Sequence, residues 1–151
     1  ACDLAVAGET TRFGEPEVRF GSGIVTMLAP YVIGPKHAKE LLLTGNDKVT
    51  ADRCYQMGIL NQVVADGAEM EAALELANQI VNAAPRSVQM TKAAIHRAYE
   101  LAEMRTALRE ALETDIKIEA DESPERVEFN RIRKDQGLKA ALAWRNTKTA
   151  G

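Results

Sequence analysis

The sequence predicts an α/β fold dominated by its helices. β-like patterning is confined to the front of the chain, whereas from Pro35 onward apolar residues recur at helical spacing between start and stop residues. A run of helices over one short β-rich edge is too lopsided for a complete α/β domain, so further strands are expected upstream.

The elements follow in order. "DLAVAG" sets Leu4 and Val6 among small residues, as a short, mostly buried strand does. "TRFGEPEVRFGSG", punctuated by Gly14, Pro16, Gly21 and Gly23, reads as an irregular loop. "IVTMLAPYVIG" predicts a short helix closed by Pro30 and Gly34. "PKHAKELLLTG" places Pro35 in a first helical turn and Gly45 as a left-handed stop. "TADRCYQMG" repeats the plan, with Thr50 as N-cap and Gly58 as stop. After the short extended run "ILNQVV", Asp66 and Glu69 stand at capping-box spacing before a helix whose Met70, Leu74, Ala77 and Val81 share a face. Pro85 opens another long helix with Val88, Ile95 and Tyr99 on one side, and Leu101, Met104, Leu108, Leu112 and Ile116 continue the helical spacing. Ser123 before Pro124 is a further N-cap, and Gly137 opens a last short helix, "LKAALAWR". The Met and Leu stripes of these helices are core or subunit-contact faces.

With 151 residues the chain has room for one ordinary domain. A net charge of -3 without a long single-sign run recruits neither nucleic acid nor an anionic membrane surface. The longest apolar runs are too short to span a bilayer, and a basic-plus-apolar leader is absent. Cys2 and Cys54 lie far apart, so buried free thiols in a reducing cytosol are expected and the location is read as cytoplasmic. The opening "ACDLAVAG" reads as the interior of a domain. The expectation is therefore a fragment, or one piece of a chain built in two.

One stretch carries candidate chemistry. In "FGEPEVRFG", Glu17 follows Pro16 among Phe13, Val18 and Phe20. Such a carboxylate is either a solvated turn residue, as isolated carboxylates usually are, or an acid/base tuned by burial. Glu15 is read as facing solvent. His37 and His96 have Lys and Arg neighbours, fit surface positions, and have no third ligand at metal spacing. Cys54 reads as a small packed residue. Phosphate-cradling glycine motifs are missing.

"ACDLAVAG....RFGEPEVRFG", then "LLLTG....TADRCYQMGILNQVV", a helix after "AAP" and the terminal "GLKAALAWR" together resemble the enoyl-CoA hydratase/isomerase (crotonase) family. The resemblance covers most of the chain but only the back part of the family's domain. It implies a crotonase-like ββα spiral, here mainly its last turn (residues 1–34, with the active-site loop), followed by C-terminal helices (residues 35–151) for oligomerisation and possible coenzyme A contact. It also implies an acyl-CoA substrate, a homotrimer or hexamer, and no metal or redox cofactor, coenzyme A being part of the substrate.

Residue by residue, Glu17 matches the glutamate of the family's P-E motif, which as general acid/base delivers the α-proton in hydratases or shuttles a proton in isomerases. Enoyl-CoA hydration is the leading expectation. Isomerase or hydrolase chemistry on the same fold, or a non-catalytic oligomerisation module, are the alternatives. The resemblance puts the first hydratase glutamate and the oxyanion donors in a missing N-terminal segment or complementary chain, so the chain alone is expected to be inactive. The loop after P-E, "GSGIVTMLAP", departs from the family's glycine-rich pattern and places bulky residues beside the acyl pocket. Phe20 and Ile24 are the substrate-binding candidates. Trp144, Arg145 and Lys148 form a terminal aromatic-basic cluster, with Trp144 and Lys148 the candidates for coenzyme A contact. The bland alternative is a solvated tail with one packed Trp.

Overall fold

The computed structural model describes residues 2–23 and 27–147. Strand β1 (Val6–Gly8) pairs in parallel with β4 (Gln62–Val64), Ala7 lying opposite Val63. Parallel strands need a long crossover, and the chain between them supplies it. Within that crossover β2 (Arg12–Phe13) pairs antiparallel with β3 (Val49–Thr50), so part of the expected loop is strand. Both front strands thus pair with partners beyond residue 35.

Helix α1 (Ala29–Thr44) joins the two helices expected on either side of Gly34. Gly34 remains non-helical at φ 74° and ψ 162°, and Pro35 follows it, so the helix kinks there. Pro30 belongs to the first turn and opens the helix instead of closing one. Helix α2 (Ala51–Met57) is capped as the sequence predicts: the Thr50 hydroxyl accepts the Arg53 N–H at 3.2 Å, and Gly58 is left-handed.

Helix α3 (Glu69–Val81) corrects the capping-box expectation. The Asp66 carboxylate is engaged elsewhere, accepting the Thr10 N–H at 3.1 Å and the Thr10 hydroxyl at 2.6 Å. These bonds tie the chain after β1 to the chain after β4, leaving Ala68 at the cap without a side-chain bond. The helices α4 (Pro85–Leu101), α5 (Met104–Ala120), α6 (Pro124–Gln136) and α7 (Leu138–Thr147) complete the described chain. Ser123 caps α6 through the Arg126 N–H at 3.2 Å.

Two apolar clusters hold the strands, α1, α2, α6 and α7. The first joins Ala7 of β1, Ile33, Ala38 and Leu41 of α1, Val49, and Cys54 and Met57 of α2. The second joins Phe129 and Ile132 of α6 to Ala141 of α7, with Phe20 and Trp144 against it. Cys54 is buried as expected, but Cys2 is exposed; both are free. Helices α3 and α4 bury no residue among those described, and Met70, Leu74, Val81, Met90 and Ile95 are exposed. No described helix is long and apolar enough to cross a membrane.

Candidate active site

Glu17 opens a single 3-10 turn, Glu17–Phe20. Pro16 sets its entry, and the Arg19 N–H closes it on the Pro16 carbonyl at 3.0 Å. The chain leaves through Gly21 at φ 73°, where a side chain would also collide with the Ser123 hydroxyl. The Ser22 N–H returns to the Glu17 carbonyl at 3.1 Å. Backbone bonds therefore fix the carboxylate's origin on both sides.

Glu17 lines a cavity of about 670 Å³ between the 3-10 turn, α1 and α5. Met27, Pro30, Ala38, Leu42, Leu43 and Ile118 give apolar wall, and Glu15, Lys39, Lys117 and Asp121 add charged groups. The Glu17 Oε2 atom is buried without a hydrogen-bond partner among the described residues. Burial pushes the Glu17 carboxyl above the usual carboxylate range, and the neighbouring Glu15 carboxyl pushes the same way. The residue's own backbone N–H and the Arg145 guanidinium oppose them. Glu15, read from sequence as solvent-facing, is half-buried and lines the same cavity.

Of the other candidates, Phe20 and Trp144 are placed apart from this cavity. Phe20 stacks on Phe129, ring centroids 4.9 Å apart, and does not line the cavity wall. Trp144 tilts against the same Phe129 ring at 6.4 Å. Ile24 and Lys148 lie outside the described residues. Arg145 belongs to no solvated tail: it is buried, ion-paired with Asp47 and bonded to the Asn146 side chain at 3.1 Å. Asp47 also faces Arg19 at 3.6 Å, so one carboxylate ties α7 to the turn that carries Glu17. The α5 residues of the cavity escaped sequence reading because a helix pattern marks an apolar face without saying what it will face.

The family model described as Enoyl-CoA hydratase/isomerase matches residues 1–130. The chain belongs to the enoyl-CoA hydratase/isomerase family. Among its relatives, the short-chain-enoyl-CoA hydratase of Clostridium acetobutylicum is 36% identical over 105 residues, covering 66% of this chain and 39% of that protein. The crotonyl-CoA hydratase of Syntrophomonas wolfei is 32% identical over 129 residues, covering 80% and 44%. A crystal structure of an enoyl-CoA hydratase/isomerase from Xanthobacter autotrophicus Py2 superposes with a TM-score of 0.90 at 44% identity, covering 97% of this chain and 55% of that one. The chain thus spans about two fifths of the length of these two sequence relatives and just over half of the solved one. Its helices and short strand pairs are part of the enoyl-CoA hydratase/isomerase fold.

Proposed function

We propose that Glu17 is the general acid/base of an acyl-CoA site and that the whole protein hydrates an enoyl-CoA thioester. Half-buried Glu17, which lines a mostly apolar cavity and has a buried oxygen without a hydrogen-bond partner among the described residues, carries this reading. Burial and the Glu15 carboxyl raise the Glu17 pKa, the direction that favours a general acid. In the step itself, water's oxygen bonds to the β-carbon as one of its protons passes to a carboxylate base, which the family resemblance puts outside these 151 residues, and the double-bond electrons move toward the thioester oxygen. The α-carbon then takes a proton from Glu17. Oxyanion donors stabilise the enolate most in a dry site; these come from chain outside the present 151 residues.

Isomerisation is the second reading, favoured by Glu15, which gives the same cavity a second proton carrier. Hydrolase chemistry and a purely assembling role remain outcomes of the test. The division near residue 34 into a catalytic front and a helical remainder belongs to the same proposal, as does a homotrimer or hexamer, supported by the apolar stripes exposed on α3 and α4. The Trp144 region reaches coenzyme A only alongside its packing on Phe129.

The test uses the full-length protein and crotonyl-CoA, following loss of the enoyl thioester absorbance. Glu17→Gln is expected to lower turnover by about 10²- to 10⁴-fold with assembly unchanged. Unchanged turnover would remove Glu17 from the chemistry and leave assembly as this segment's role.

A further inference from the structure

The segment after Glu17 is held from a distant part of the chain. Glu119, in the last turn of α5, accepts the Ser22 hydroxyl at 2.5 Å and the Gly23 N–H at 2.8 Å through one carboxylate oxygen. Its other oxygen is ion-paired with Arg126 of α6. Arg126 also donates to the Glu119 carbonyl at 2.7 Å and, at 3.4 Å, to the Ile118 carbonyl. Both bonds to the segment are charge-assisted, the stronger kind, and Gly23 is buried where it meets α5.

The partners of this clasp are also cavity wall. Gly21, Ser22 and Gly23 line the cavity on one side, and Lys117, Ile118 and Asp121 line it from the end of α5. We propose that Glu119, held by Arg126, is a positioning and specificity-determining residue that latches the Gly21–Gly23 segment to α5 and so sets the width of the acyl cavity. This rests on the acyl-CoA reading above. Without the latch, the wall beside Glu17 moves outward while both apolar clusters stay intact, because neither contains Glu119, Ser22 or Gly23. A wider wall favours longer acyl chains.

The test compares kcat/KM for crotonyl-CoA and trans-2-decenoyl-CoA in the full-length protein. Glu119→Ala is expected to shift the ratio about tenfold toward the longer thioester. Glu119→Gln, which keeps an acceptor oxygen, should recover most of the wild-type ratio. Far-UV circular dichroism and assembly size should not change. A Glu119→Ala ratio within about twofold of wild type overturns the proposal, even if turnover falls equally on both substrates. Should Glu119→Ala fail to fold, Ser22→Ala decides: it removes one latch bond and leaves the Glu119–Arg126 pair, and an unshifted ratio again overturns the proposal. The acyl-CoA reading fails separately, through a wild-type protein inactive on both thioesters, and the latch proposal then falls with it; unchanged turnover in Glu17→Gln removes only the role of Glu17.

Discussion

At the scale of single residues, the burial that raises the Glu17 pKa, central to its proposed role, weakens the fold. Its carboxyl holds its proton to higher pH in the native protein than in the unfolded chain. As pH rises from the ordinary carboxylate range through the raised native value, the unfolded state releases this proton first. Glu17 therefore subtracts stability across that window, and the penalty is complete above it. Thermal unfolding at several pH values should show Glu17→Gln gaining on wild type as pH rises above the ordinary carboxylate range, about pH 4; a constant difference would contradict the raised pKa. Arg145 behaves oppositely. Arg145→Met leaves Asp47 with Arg19 as its remaining ion-pair partner among the described residues and should cost about 3 kcal/mol in urea unfolding. That is the low end for a broken buried pair, because the Asp47 side chain is 25% exposed. Arg145→Met with Asp47→Leu should recover much of the loss.

At the scale of elements, α1 shows why a single glycine shapes the cavity. Its second half carries Ala38, Leu42 and Leu43 to the wall, and the kink at Gly34 sets that half's direction. A side chain at Gly34 meets nothing within 4 Å, so the cost of Gly34→Ala is conformational rather than steric. A φ of 74° with ψ of 162° is glycine territory, and the substitution should cost of order 1–3 kcal/mol by chemical denaturation. A neutral result would mean that the two halves of α1 realign without penalty.

At the scale of the whole molecule, α3 and α4 present amphipathic helices whose apolar sides the described chain leaves uncovered. Leu74 is 57% exposed and Ile95 52% exposed, while α3 packs on β1 and α4 on α5. Under the proposed trimer or hexamer these faces are where further protein sits. Leu74→Lys with Ile95→Lys in the full-length protein should lower the mass measured by analytical ultracentrifugation and preserve the helical spectrum. Full-sized assemblies would place the contact on another face.

The helical body, the Thr50 and Ser123 caps, the Gly58 stop and the family are legible in the sequence, because each rests on local pattern: period, cap chemistry, or residue order. The sequence marked Glu17 but left its setting open between a solvated turn and a tuned acid. The burial of Glu17 depends on tertiary packing, which brings α1 and α5 against the 3-10 turn and Glu15 into the same cavity. Long-range pairing also reassigned Asp66 from helix cap to the bonds with Thr10, and Arg145 from a basic tail to the Asp47 ion pair. Desolvation and ion pairing depend on residues about 100 positions apart along the chain, and spacing within one segment carries no record of them.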